Sequence, residues 1–174
     1  MPKAPRRRVS WSLRPVGRAQ RARLERLTAA TGVFRPEEVA TAAELLDASL
    51  AGDDDYRFLG AYDGEELAGY ACWGPTPGTL GTADLYWIVV DPTRQHRGIG
   101  TQLLGAVESR LIAEGCRLIV IETSSRADYA ATRAFYERRG YARVATIPGY
   151  YAPGDDLAIY LKDLGHGVLA STTA

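Results

Sequence analysis

The chain has 174 residues, 46% of them hydrophobic and 24% charged, and its 21 basic side chains balance its 21 acidic ones. That length supports one domain with a sizeable core, and the composition is that of a soluble globular protein, with no apolar run near the roughly 20 residues that span a bilayer. Two cysteines, Cys72 and Cys116, make neither a disulfide framework nor a metal-spacing motif, and His96 and His166 stand far apart, so no metal is expected and the cysteines read as reduced thiols of a cytoplasmic protein.

The chain opens with a basic arm, residues 1–8, which lacks the apolar core of a secretion signal. Residues 1–26 carry nine basic side chains against the one acid Glu25, and they read as a solvated arm followed by the polar face of a helix. Aromatics are scarce there, so a base-stacking nucleic-acid surface is not expected. Val9 to Arg14 alternates as a first strand. Arg18 to Ala30 is helical, anchored by Leu24 and Leu27 and stopped by Gly32. Pro36 to Leu50 is a second helix, with proline at its start and acids in its first turn. Tyr56–Tyr62 and Leu67–Trp73 are strands joined around Asp63-Gly64, a hairpin signal.

After the turn at 75–81, Ala83 to Val90 is a fourth strand, and Asp91-Pro92 stops it. A short basic loop, Gly98-x-Gly100 and a third helix to Ala113 follow. Leu118–Thr123 is a continuous apolar strand, hence central. Ala127–Arg139 is a fourth helix stopped by Gly140. Tyr141–Ile147 and Leu157–Leu161 close the order as a strand pair. The result is a mixed α/β sheet with helices on both faces, one domain over 9–162, and a loose tail at 163–174.

The strand, glycine turn and helix start around Gly98 form an anion site in outline. The first turn of a helix has N–H groups without intrahelical partners, and the dipole adds positive charge there. Glycines let a pyrophosphate approach the backbone, and Arg94, Arg97 and the Thr101 hydroxyl are further donors. The loop is not a dinucleotide fingerprint, because position 103 is Leu, and no Gly-Lys-Ser/Thr occurs.

Gln95-x-x-Gly98-x-Gly100 resembles the Q/R-x-x-G-x-G/A motif of the GNAT superfamily of N-acetyltransferases. It sits where that family has it, and the order of elements is also the family's, over residues 9–162. The resemblance implies an acyl-coenzyme A N-acyltransferase fold. It implies that Gln95, His96, Arg97, Gly98, Ile99, Gly100 and Thr101 bind the pyrophosphate of acetyl-coenzyme A. It also implies that the backbone of Ile88, Val89 and Val90 holds the acetyl carbonyl. Seven residues before Tyr136, where the family often has an asparagine on the pantetheine arm, this chain has Tyr129.

Acetyl transfer to an amine needs a neutral amine, a held carbonyl and a proton for the departing thiolate. Ala134 to Tyr141 resembles the family's A-x-x-F/Y-Y-x-x-x-G-F/Y segment, in which the tyrosine at the Tyr136 position protonates the thiolate. A phenol is a neutral donor at pH 7. Glu122 is the only carboxylate of an otherwise apolar strand, and in relatives that acetylate protein N-termini a glutamate at this strand end is the base. Asp84 on the preceding strand is the rival. Tyr150 and Tyr151 lie in the expected loop between the last strands, similar to the acceptor hairpin of ribosomal-protein N-terminal-alanine acetyltransferases. Trp73, Tyr86 and Trp87 are candidates for an acceptor wall. Asp53, Asp54 and Asp55 read as a solvated loop.

These readings describe an enzyme that moves acetyl from acetyl-coenzyme A to a primary amine by direct attack. The acceptor is a small amine or amino acid, or a protein or peptide N-terminus. A non-catalytic acyl-coenzyme A sensor or adapter of the same fold is the alternative. Neither membrane nor nucleic acid is an expected partner, and a homodimer is left open.

Overall fold

The computed structural model describes residues 11–165, so the basic arm, the expected strand start at Val9, His166 and the end of the tail lie outside the described residues. The strands are β1 (Ser12–Arg14), β2 (Arg57–Asp63), β3 (Glu66–Pro75), β4 (Thr82–Val90), β5 (Leu118–Ser124), β6 (Ala142–Ala152) and β7 (Asp155–Asp163). The helices are α1 (Arg21–Ala30), α2 (Pro36–Leu50), α3 (Ile99–Ala113) and α4 (Ala130–Glu137). The strands form one seven-stranded sheet in the order β1-β2-β3-β4-β5-β7-β6. This is the mixed sheet expected from the sequence.

Each helix has a local cause. At α2, Pro36 occupies the first turn, where its missing N–H is not needed, and Glu38 accepts the Arg35 N–H at 2.8 Å. Glu37 and Glu38 sit at the positive end of the dipole. Leu24, Leu27, Ala43 and Leu46 of α1 and α2 bury against Leu67, Tyr70 and Val89 on one face of the sheet. Leu103, Leu104, Val107 and Leu111 of α3 bury against Leu59, Ile119 and Ile121 on the other. Gly69 lets α3 approach, since a Cβ there would stand 2.7 Å from the Val89 carbonyl oxygen and 3.0 Å from Ile99 Cγ2.

Two irregularities of β4 shape everything that follows. Its parallel ladder with β5 runs only from Thr82–Asp84 against Leu118–Val120, after which the two strands part. Against β3, Leu85 faces Trp73 and Trp87 faces Cys72, which leaves Tyr86 as a bulge. The extra residue reverses the alternation. Leu85 belongs to the α3-side core, Trp87 and Val89 belong to the α1/α2 side, and Ile88 and Val90 return to the α3 side.

Some expected boundaries are corrected. The fourth helix is shorter than 127–139, because Ala127–Tyr129 is a 3₁₀ turn that leads into α4. Tyr150 and Tyr151 are in β6 and not in a loop. β6 is an edge strand, where Pro148 is tolerated, and Gly149 with φ 63° lies within an irregularity of its pairing. Among the described residues no helix is long and apolar enough to cross a membrane.

Candidate active site

The glycine loop is held from below. Asp91 accepts the Thr93 N–H at 2.9 Å and its hydroxyl at 2.7 Å, and pairs with Arg23 at 2.6 Å. Burial works to raise the pKa of Asp91, but these partners outweigh it and the carboxyl lies below its ordinary value. Arg94 is ion-paired with Glu66 and Asp63, so it anchors the loop from below. The Trp11 indole donates to the Arg97 carbonyl at 3.2 Å.

Above this frame the backbone turns through His96 (φ 61°) and Gly98 (φ 84°) into α3. From Gln95 to Thr101 no main-chain N–H has an acceptor among the described residues. A Cβ at Gly98 would meet nothing within 4 Å, so the loop is open to solvent at its glycine. Consecutive free N–H groups at the positive end of a helix suit a pyrophosphate.

Arg139 adds a cation that the sequence does not advertise. Its guanidinium lies over the Phe135 ring at 3.7 Å, donates to the Phe135 carbonyl at 3.0 Å and also to the Thr101 hydroxyl. Burial and the neighbouring Arg138 lower its pKa, which marks a cation short of negative partners. The only sequence signal was its place two residues before Tyr141.

On the opposite, α1/α2 side of the sheet, a cavity of about 430 Å³ opens where β4 and β5 part. Its aromatic wall includes Phe34, Tyr86, Trp87, Tyr129 and Tyr151. Phe34 meets Trp87 edge-on at 5.0 Å. The α1–α2 loop that carries Phe34 is fastened from across the cavity. Arg126 donates to the Val33 carbonyl at 3.2 Å, and the Tyr129 hydroxyl donates to the same oxygen at 3.4 Å. Neither Phe34 nor Arg126 was found from the sequence, because their roles depend on contacts between distant loops.

Asp84 and Glu122 both line this cavity. Asp84 accepts the Thr76 hydroxyl at 2.8 Å. Glu122 has no hydrogen-bond partner among the described residues, and it is exposed through the cavity mouth. Its pKa is nonetheless raised, first by burial of the carboxyl and then by the charge of Asp84. Burial, with Glu122 adding to it, pushes the Tyr151 phenol up to about 12.

Tyr136 lies on the other side. It is 4% exposed, in the α3-side core, with its ring 5.5 Å from Phe135, 5.8 Å from Tyr141 and 6.2 Å from Tyr160. Its hydroxyl has no partner among the described residues, and burial raises its pKa, which keeps the phenol protonated. Ile88 and Val90 pack against the same core. Tyr136 and Glu122 therefore flank the parted strands from opposite faces.

Three expected contacts are placed elsewhere. Trp73 is 2% exposed on the α3 side, because it faces Leu85 ahead of the bulge, and it does not line the cavity. Tyr150 is 56% exposed and touches Tyr151 edge-on at 5.0 Å, outside the cavity wall. Tyr129, expected on the cosubstrate arm, lines the cavity. Asp53, Asp54 and Asp55 are exposed and do not line it. Among the described residues no group of three His, Cys, Asp or Glu could hold a metal ion.

Comparison with known proteins gives consistent matches. Residues 22–141 match the model of the acetyltransferase (GNAT) family. A Desulfovibrio desulfuricans protein assigned to that family is 42% identical in sequence, with a TM-score of 0.86 over 89% of this chain and 99% of that one. The ribosomal-protein-S18-alanine N-acetyltransferase of Escherichia coli shares the fold, with a TM-score of 0.73, 22% identity and coverage of 89% and 94%. An aminoglycoside 6'-N-acetyltransferase in complex with coenzyme A does so too, with a TM-score of 0.73, 21% identity and coverage of 88% and 97%. A curated relative, S-(2-succino)cysteine N-acetyltransferase of Bacillus subtilis, is 31% identical over 71 residues, and the match spans 41% of this chain and 43% of the relative.

Proposed function

We infer that this chain, which belongs to the acetyltransferase (GNAT) family, moves an acetyl group from acetyl-coenzyme A to a primary amine by direct attack. One observation carries the reading. The strands β4 and β5 part between a loop of free N–H groups on one face and a carboxylate-lined cavity on the other. Two reactants brought from opposite sides would meet in that gap.

Acetyl-coenzyme A supplies the activated acetyl group. The loop from Gln95 to Thr101, helped by Arg139, binds its pyrophosphate. Main-chain N–H groups of Ile88 and Val90, which point away from β3 beyond the end of the β5 ladder, hold the carbonyl oxygen, while that of Val89 pairs with β3. The acceptor nitrogen forms its bond to the acetyl carbon as the carbon–sulfur bond breaks. Glu122 takes the proton that the nitrogen loses, and its raised pKa brings it closer to the working pH of a base. Tyr136 gives its phenolic proton to the departing sulfur. Asp84 is the second carboxylate of the cavity. Tyr86, Trp87, Tyr129 and Tyr151 enclose the acceptor, which is a small amine or a peptide N-terminus. The curated relative and the aminoglycoside enzyme both carry amine acceptors in their names, which supports an amine here. Free, buried Cys72 and Cys116 are consistent with a cytoplasmic setting.

The test is thiol release from acetyl-coenzyme A in the presence of a panel of amines and peptides. Amine-dependent release supports transfer. Tight binding of acetyl-coenzyme A with no release for any acceptor makes the protein an acyl-coenzyme A sensor.

A further inference from the structure

The charges around the acceptor cavity do not cancel. Arg35 is taken up by Glu38 at 3.3 Å, and Arg126 by Asp128 at 2.8 Å and Asp155 at 3.8 Å. Asp84 and Glu122 are left over. Asp84 pairs across the sheet with Val120, and Glu122 stands two residues further along β5 on the same face. Neither is ion-paired among the described residues, and the one polar partner between them is the Thr76 hydroxyl on Asp84. The rings of Phe34, Tyr86, Trp87 and Tyr151 line the same cavity as the two carboxylates. A ring face attracts a cation, and it does so more strongly where water is partly excluded.

This charge cannot be matched by the reacting amine alone. That nitrogen must be neutral when it attacks, and its proton neutralises one carboxylate. The other carboxylate has no ion-pair partner among the described residues and calls for a positive group elsewhere on the acceptor. A carboxylate on the acceptor would meet uncompensated negative charge instead.

We propose that the acceptor is a dication, an alkyl diamine or longer polyamine, with one nitrogen acetylated beside Glu122 while a second ammonium stays bound between Asp84 and the aromatic wall. This rests on the acetyl-transfer reading above and names its substrate class. At the reacting end a nitrogen–carbon bond forms and a carbon–sulfur bond breaks. The proton from nitrogen goes to Glu122, and the sulfur takes one from Tyr136. The bound ammonium keeps its protons and takes no part in the bond changes.

The experiment compares kcat/KM for diaminobutane, butylamine and glutamate, read as thiol release from acetyl-coenzyme A by the full chain. Diaminobutane is expected to exceed butylamine by about tenfold, the scale of a partly screened ion pair, with glutamate the poorest acceptor. In Asp84→Asn the diamine-to-monoamine ratio should fall toward about two, the statistical value for two equal amines, whatever the absolute rate. Because that variant also disturbs the Thr76 bond, the same ratio is followed in the unaltered protein as salt is raised. It should fall as the exposed part of the pairing is screened. Equal turnover of diamine and monoamine overturns the proposal while leaving acetyl transfer intact. So does a diamine preference that neither Asp84→Asn nor salt reduces. No thiol release with any amine or peptide removes the transfer reading itself, and this inference with it.

Discussion

Replacing Gly98 separates what the glycine loop needs for folding from what it needs for binding. Gly98 has φ 84°, and a Cβ there would meet nothing within 4 Å. Gly98→Ala therefore costs left-handed backbone strain alone, about 1–2 kcal/mol. In a chain of this size that lowers Tm by about 2–8 °C. Gly98→Asp carries a similar or smaller strain, since aspartate tolerates this region better than alanine. It also puts a carboxylate among N–H groups that have no other acceptor. A unit charge about 5 Å from one phosphate charge costs about 1–3 kcal/mol at effective dielectrics between about 80 and about 20. Affinity for acetyl-coenzyme A should fall about 5- to 200-fold relative to Gly98→Ala. Calorimetric titration reads the affinity and thermal melts read the fold. Ligand at a hundred times its Kd should raise the Tm of the unaltered protein by about 5–11 °C. If Gly98→Asp folds and binds as tightly as Gly98→Ala, the pyrophosphate does not sit on this loop.

Tyr136→Phe should keep the fold and cosubstrate binding but lower turnover by about 10²–10⁴-fold, and an unchanged rate with chemistry limiting would leave Tyr136 as a packing residue. Glu122 has a raised pKa, so as a base it should give a rate that climbs with pH through that raised value, and Glu122→Gln should remove the climb for two acceptors of different basicity. The same shift has a sign for stability. The folded state holds the Glu122 proton more tightly, so its contribution is complete below the ordinary glutamate range and is lost as pH rises through the raised value. Glu122→Gln should accordingly raise Tm at neutral pH, and a fall would contradict the desolvation argument. Asp91→Ala takes the acceptor from the Thr93 N–H and hydroxyl and one of its two acidic partners from Arg23, which keeps Glu66, at about 1–3 kcal/mol. Because the Asp91 pKa is lowered, its contribution is present at neutral pH and disappears on acidification through that lowered value. A melting series over acidic pH should show the gap between the two proteins closing, and a constant gap would argue against the ionised cap.

Legibility of the fold followed the strength of local signals. Pro36 and its two acids mark the start of α2 at the position observed. Gly98 and the apolar spacing after it mark α3, and the apolar run 118–123 marks β5. The loop expected at Tyr150 and Tyr151 gives way to a longer β6, because edge position, which excuses a proline at 148, is a property of the sheet and not of the segment. The bulge at Tyr86 was equally hidden. Alternation alone puts Trp87 with Leu85, and only the register with β3 shows that the extra residue turns it into the cavity. The site divides in the same way. Gln95, Gly98, Glu122 and Tyr136 stand in motifs that a linear reading can match. Phe34, Arg126 and Arg139 depend on packing between loops and helices far apart in sequence.

The most direct measurement supplies acetyl-coenzyme A with an isotope-labelled acetyl group, together with the full chain and an acceptor panel, and follows the label by mass spectrometry. The account predicts that the label appears on an amine nitrogen of an acceptor, with one free thiol released for each acetyl moved, and that Glu122→Gln and Tyr136→Phe both slow its appearance. Label that stays on coenzyme A with every acceptor, while the cosubstrate binds and stabilises the protein, would contradict it.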